Sequence, residues 1–298
     1  MHEDTAGSKT SLADVGLRVE QTSHADIDRE LGANGWIVPR RSGASRSFPI
    51  YLAWKSGCDY VITLDDDCLP VAGEEGAFIA RHLQSFQQDR WFRSVAHDEA
   101  RGIPYQQLGS LRVRLNHGLW LENPDLDGPT ALVRLREPRG VELRAGHGVV
   151  PPGMAFPLCA MNVCYHRDIV PAAYNLLMGV EAFGLDRFDD IWSGLLIKRV
   201  LDYAGWYATT GEPYVRHSKQ SSPFANLRKE AAGIEIHEHF WEFVLDAPLP
   251  PGLAVPAAYA HLASRVAEFP AAFPAVNCPA GYFAELSRAM IAWASLFQ

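Results

Sequence analysis

The segment Tyr60-Val61-Ile62-Thr63-Leu64-Asp65-Asp66-Asp67-Cys68 closes an apolar run with three consecutive carboxylates. Acids at the carboxyl end of a strand sit where open α/β sheets bind ligands. In an extended segment alternate residues face the same way, so Asp65 and Asp67 are expected to address one ion together, with Asp66 beside them. Hard oxygen ligands suit Mg²⁺ or Mn²⁺, ions that in turn grip diphosphates. Three adjacent like charges repel one another unless a cation sits among them. The same acids would also serve as a solvated loop or a helix N-cap. What favours a site is the run before them, because Val61, Ile62 and Leu64 predict a buried strand that presents the acids at its end.

The elements around this strand follow from periodicity. Ser45 to Lys55 mixes apolar and polar residues as a helix does, with Pro49 near its start. Glu74 to Gln87 predicts an amphipathic helix carrying Phe78, Ile79, His82, Leu83 and Phe86. Residues 91–160 predict short strands and many turns, and Asp168 to Met178 predicts a helix. Phe188-Asp189-Asp190-Ile191-Trp192 opens a strong helix whose apolar positions keep the helical period to about residue 204. Two acids in its first turn suit the helix macrodipole, which accounts for them structurally. Tyr207 to Thr210 and Tyr214 to Val215 predict two short strands, and Val15 to Val19 another. Ala247 to Pro256 is Pro-rich and predicts a linker, followed by amphipathic helices over 257–268 and 280–296. His237 and His239 alternate with acids in Glu235 to Phe240, which predicts an exposed face rather than a metal pair.

With 298 residues the chain can bury a full core, as one large or two modest domains. The boundaries drawn are a ligand-binding domain over 1–246 and a linker with C-terminal helices over 247–298. Those helices either cap the core or join copies into a homo-oligomer. A net charge of −8 gives nucleic-acid binding no electrostatic support. Cys58, Cys68, Cys159, Cys164 and Cys278 contain no Cys-x-x-Cys pair, and an odd total argues against a disulfide framework. No apolar run reaches the length of a membrane span, and the N-terminus lacks a signal core, so a reducing cytoplasm is expected.

Further stretches are too polar for core and too aromatic for plain loops: Arg101-Gly102-Ile103-Pro104-Tyr105, Asn116-His117-Gly118-Leu119-Trp120-Leu121, Pro124-Asp125-Leu126-Asp127-Gly128-Pro129-Thr130 and Tyr214-Val215-Arg216-His217-Ser218-Lys219. Together with the triple acid and the Arg187 to Trp192 stretch, they make the chain resemble the reversibly glycosylated polypeptides, a family that includes plant UDP-arabinopyranose mutases. The resemblance runs from about Asp26 to about Phe243. It implies a glycosyltransferase-A-like, Rossmann-type α/β fold that binds a UDP-sugar with Mn²⁺ or Mg²⁺. It implies that Asp65 and Asp67 hold the metal, with Asp66 nearby and His217 completing the coordination. His117 and Trp120 would line the nucleotide-sugar site, and Lys219 would neutralise phosphate as a point cation. Trp120 and Trp192 are either stacking platforms or core aromatics. Arg101 matches the arginine that carries sugar in the self-glycosylated form; as a protonated guanidinium it needs neighbouring acids to become a nucleophile, and otherwise clamps an anion. Asp189 and Asp190 are the acids implied for that activation and for moving protons between sugar hydroxyls.

The chain departs from the family pattern in two places. The family's second arginine is replaced by Leu108, which cannot clamp an anion; Arg112 and Arg114 lie a few residues on. The start of the chain falls close to the family's second acidic turn, so either the start lies upstream or another segment takes the first strand's place. Three readings follow: a metal-dependent UDP-sugar mutase, a glycosyltransferase moving sugar from a UDP donor to a separate acceptor, and a non-catalytic UDP-sugar-binding assembly subunit.

Overall fold

A computed structural model describes residues 20–40, 42–91, 102, 109–135, 148–218 and 222–298. In chain order, helices α1 (His24–Leu31) and α2 (Ser47–Lys55) precede strands β1 (Tyr60–Leu64) and β2 (Cys68–Pro70) and helix α3 (Phe78–Gln84). Strand β3 (Val113–Glu122), helix α4 (Gly128–Arg134), and strands β4 (Gly148–Val150) and β5 (Asn162–His166) follow. Helix α5 (Asp189–Tyr203), strand β6 (Tyr207–His217) and helices α6 (Pro223–Leu245), α7 (Val255–Val266), α8 (Phe269–Ala272) and α9 (Tyr282–Ser295) complete the chain. The fold is therefore α/β with a mixed sheet, of a kind compatible with a Rossmann-like arrangement.

The sheet runs β1-β5-β3-β6-β2, with β4 also on β6. Strands β3 and β6 pair in parallel; the other pairings are antiparallel. Side chains alternate between its faces, as the pleat requires. Leu115, Val163, Tyr165 and Ala208 join the large core formed with α5, α6, α7 and α9. Their neighbours Asn116, Asn162 and Thr209 face α3 instead. There the His82 ring sits between the Asn162 Oδ1 (3.0 Å) and Asn116 Nδ2 (2.9 Å), and the Thr209 hydroxyl donates to Asn116 Oδ1 (2.8 Å). Burial holds His82 down to about 4, so this interior network is neutral and internally satisfied.

Several expectations are corrected. Strand β1 lies at the edge of the described sheet, with Leu64 42% exposed, because only β5 pairs with it. Residues 168–178 are not a helix apart from a 3₁₀ turn at Val170–Ala172. The stretch is apolar because it is buried on every side, and its backbone bonds elsewhere: the Asn175 N–H donates to Ser47 Oγ (2.9 Å) and the Leu176 N–H to the Asp189 carbonyl (3.3 Å). The two short strands expected over 207–215 are one continuous β6. Helix α6, at 23 residues, spans a region where the sequence suggested an exposed face. The C-terminal helices α7 and α9 share the main core, with Trp293 stacked on Tyr174 and Phe283 against Trp192. Residues 15–19 lie outside the described residues.

Candidate active site

The carboxylates after β1 do not continue an extended strand. The Cys68 N–H donates to the Asp65 carbonyl at 3.1 Å, closing a tight turn into β2. That turn is stitched to the end of β6: Cys68 stands opposite His217, and both the Ser218 N–H and hydroxyl donate to the Asp67 carbonyl at 3.1 Å. Asp65 and Asp67 thereby line one cavity of about 860 Å³, while Asp66 is exposed and lies outside its lining. The turn brings the outer two acids together, which the sequence had attributed to strand alternation.

His217 closes the same corner. Its Nδ1–H donates to the Asn123 carbonyl (2.8 Å), and its Nε2 lies 3.7 Å from Asp67 Oδ2. A backbone carbonyl fixing one ring nitrogen so that the other can bind a cation is a usual outer-shell device of metal sites. Asp67 thus offers an oxygen of the kind Mn²⁺ and Mg²⁺ take, and His217 a nitrogen that could join it on Mn²⁺. Among the described residues no group of three or more His, Cys, Asp or Glu side chains could hold an ion unaided, so a bound cation would need diphosphate oxygens as well. Asp65 is otherwise engaged, its Oδ2 accepting from Arg46 at 2.7 Å.

Arg46 ends a 3₁₀ turn, Gly43–Arg46, that leads into α2. Burial opposes its charge, but Asp65, Asp189 and Asp190 outweigh that and hold the guanidinium firmly protonated. Asp189 and Asp190 begin α5 and both line the cavity. Burial pushes the Asp189 carboxyl up against the opposing pull of Arg46, and its Oδ2 has no hydrogen-bond partner among the described residues. The carboxyl fits only because residue 43 is glycine: a Cβ there would stand 1.7 Å from Asp189 Oδ2. Burial, and next the Asp189 charge, raise Asp190 to about 7, although the Ala160 N–H donates to its Oδ2 at 3.0 Å. One acid run is thus held by turn geometry and a cation, and the other by exclusion from water.

The opposite wall comes from α4, α6 and the loop before α5. Arg187 has a left-handed backbone, φ 69°, and its Nε donates to the buried Glu230 Oε1 at 2.7 Å. Its other end lies 3.7 Å from Asp125, and the Gly128 N–H donates to the second Glu230 oxygen. Non-glycine residues in this backbone region are strained and gather at functional sites. His117 is buried in the floor and burial lowers it to about 4. Its Nε2 accepts from the Cys159 N–H and its Nδ1 faces the Thr210 hydroxyl, each at 3.3 Å. Trp120 packs edge-on against it and also lines the cavity.

Asp65, Asp67, His117, Trp120, Asp189, Asp190 and His217 therefore meet at one cavity. Arg101, Leu108 and Lys219 lie outside the described residues. Neither Arg112 nor Arg114 lines the cavity; Arg114 pairs with Asp168 at 3.0 Å and stacks over Trp206. Trp192 is core, fully buried, and donates from Nε1 to His237 Nδ1 at 3.1 Å. His237 is half-buried in the cavity wall, which corrects the expectation of an exposed face; His239 is exposed. Sequence reasoning gave no role to Arg46, Gly43, Asp125, Glu230 or His237.

Residues 4–298 match the family model described as reversibly glycosylated polypeptide. The chain belongs to that family. Among curated relatives of the reversibly glycosylated polypeptides, a probable UDP-arabinopyranose mutase 2 of Solanum tuberosum is 32% identical over 305 residues, covering 98% of this chain and 80% of the relative. UDP-arabinopyranose mutase 3 of Arabidopsis thaliana and UDP-arabinopyranose mutase 1 of Oryza sativa subsp. japonica are each 32% identical, with 98% of this chain and 81% of the relative aligned. The family match extends past the motif-bearing stretch of residues 26–243 into both ends of the chain. Among the described residues no helix is long and apolar enough to cross a membrane.

Proposed function

We propose that the protein is a UDP-sugar mutase that interconverts the pyranose and furanose forms of a UDP-linked pentose, UDP-arabinose being the first substrate to test. The observation that carries this reading is the meeting of two acid pairs, far apart in the chain, on one cavity with Arg46 between them, in a family whose relatives bear the mutase name. A glycosyltransferase-A-like fold is the finer assignment that goes with it.

The reaction breaks the anomeric bond to UDP and re-forms it after a different sugar hydroxyl has closed the ring. The cavity is lined by nine carboxyl side chains against three permanent cations among the described residues. A diphosphate entering such a pocket meets repulsion unless extra positive charge accompanies it. A divalent cation held by Asp67 and His217, and by Asp65 once released from Arg46, would supply that charge and stabilise the departing UDP. The chain's own groups do the rest. Arg46, freed from Asp65, carries a fixed charge beside the reacting end. Asp190 titrates near neutrality and can take a proton from the hydroxyl that closes the ring. Asp189, whose carboxyl burial pushes up, stands beside it as the group to return one to the ring oxygen that opens. Self-glycosylation would place the sugar on Arg101: a guanidinium nitrogen attacks the anomeric carbon, UDP leaves with the bonding pair, and the nitrogen's proton passes to a carboxylate.

Incubation with UDP-arabinopyranose and Mn²⁺, followed by chromatography, should yield the furanose isomer; its absence removes the mutase assignment. Leu108 favours a second reading, a transferase acting on a separate acceptor. It predicts donor hydrolysis or transfer with no ring contraction in the same assay. Loss of radiolabel transfer from UDP-glucose in Arg101→Ala would support the covalent site, and retained labelling would move it elsewhere.

A further inference from the structure

The face of α6 that borders the cavity carries Glu230, Ile234, His237 and Glu238, one helical stripe. His237 is fixed there more tightly than a surface histidine. The Trp192 indole N–H can only donate, and it donates to His237 Nδ1 at 3.1 Å. Nδ1 must then be the acceptor nitrogen, so the single proton of the neutral ring sits on Nε2. Trp192 cannot turn to suit another tautomer, because it is fully buried among Phe188, Phe240 and Phe283. The Phe188 ring also lies 5.5 Å from the imidazole, and α6 approaches it so closely that a Cβ at Gly233 would fall 2.5 Å from that ring. Plane, position and tautomer are therefore all set before any ligand arrives. Among the described residues Nε2–H has no hydrogen-bond partner, and neither has the adjacent Glu238 carboxylate, whose charge acts on the imidazole.

We propose that His237 Nε2–H and the Glu238 carboxylate form a donor–acceptor pair that binds neighbouring hydroxyls of the sugar. This rests on the UDP-sugar reading above. A carboxylate repels a diphosphate but accepts well from hydroxyl groups, so the pair fits the neutral, hydroxyl-rich end of the ligand. Glu230 on the same stripe does not compete for that end, being already satisfied by Arg187 and the Gly128 N–H. His237 is thus a ligand-contacting residue whose geometry comes from Trp192, a positioning residue in the core.

The test compares dissociation constants for UDP-arabinopyranose and for UDP, each with Mn²⁺, in the wild type, His237→Leu and His237→Gln. Glutamine keeps an N–H near the position of Nε2, and leucine does not. Leucine should weaken UDP-arabinopyranose by roughly tenfold while UDP stays within about twofold, and glutamine should recover most of the loss. Equal weakening of both ligands would put the contact on the nucleotide and overturn the sugar assignment; unchanged binding of both would overturn the contact altogether. ¹⁵N spectra of the imidazole provide a ligand-free arm: a proton on Nδ1 rather than Nε2 overturns the proposal. A wild type that binds neither ligand instead sinks the UDP-sugar reading, and the imidazole spectra then judge the locked donor alone.

Discussion

Two acid runs border the cavity, and they are built on opposite principles. Asp65 and Asp67 sit half-buried in a turn, with Arg46 and His217 beside them. Asp189 and Asp190 start a helix, Asp189 buried under Gly43 and Asp190 half-buried beside it, and burial pushes both carboxyls up. Similar residues in similar number thus make a charged corner in one place and a proton-holding corner in the other. Charge read from sequence counts carboxyl groups; burial decides which of them are carboxylates at neutral pH. A site with both has one end suited to a cation and diphosphate and another suited to proton transfer.

The sharpest way to break this contrast is to neutralise the turn pair. Asp65→Asn with Asp67→Asn should weaken Mn²⁺-supported UDP binding by more than about a hundredfold, roughly 3 kcal/mol in calorimetry. Melting temperature should barely move, since a part-exposed pair such as Arg46–Asp65 contributes at most about 1 kcal/mol. A large loss of folding with retained binding would make the turn acids structural. Gly43→Ala should act in the reverse sense, through packing. Its Cβ would stand 1.7 Å from the Asp189 carboxyl, so one of the two must move. A destabilisation of about 2 kcal/mol is expected in urea titrations. Adding Asp189→Ala should restore most of it, a coupling that a double-mutant cycle reads directly.

How much of this contrast the sequence could convey differs between its halves. The triple acid, β1, the start of α5 and the His-Ser-Lys stretch are local patterns, and local pattern carries them. Arg46, Gly43 and Asp189 come together only through the fold, so no spacing announces that the arginine capping α2 will reach an acid after the next strand. Helix α6 had a readable start in Ser222, whose hydroxyl accepts from the Ala225 N–H, followed by Pro223. The alternation of histidine and acid over 235–240 reads instead as an exposed face, and it hides the helical stripe of Glu230, Ile234, His237 and Glu238. Residues 168–178 misled for the complementary reason: a segment buried on all sides shows no periodicity that could separate a helix from an irregular stretch.

The buried half predicts a pH dependence with a definite sign. Unfolded, Asp190 ionises near its ordinary 3.8; folded, it does so near 7. Below about pH 3 both states hold the proton and the group is neutral toward stability. As pH rises toward 7 the unfolded chain releases its proton first, so stability falls, and above 7 the full cost remains. Asp190→Asn should therefore stabilise the fold by up to about 4 kcal/mol at pH 8 and leave it nearly unchanged at about pH 3. Urea midpoints at the two pH values check this, and a variant with the wild-type slope would show that Asp190 is ionised throughout. The same substitution should remove any rise in mutase rate through pH 7.

The smallest expected effect tests whether membership of the acid run matters or only position does. Asp66 shares its neighbours' sequence context but is exposed and stands outside the cavity lining. Asp66→Asn removes the same charge from the same turn. If the turn works by placing two specific carboxylates, Mn²⁺-supported UDP binding should change by less than about threefold, the scale of a screened through-solvent charge. If it works as a diffuse negative patch, the loss should approach that of Asp65→Asn alone, and raising the salt should erase both losses together. Measuring the two single variants at low and high ionic strength separates a built corner from a merely acidic one.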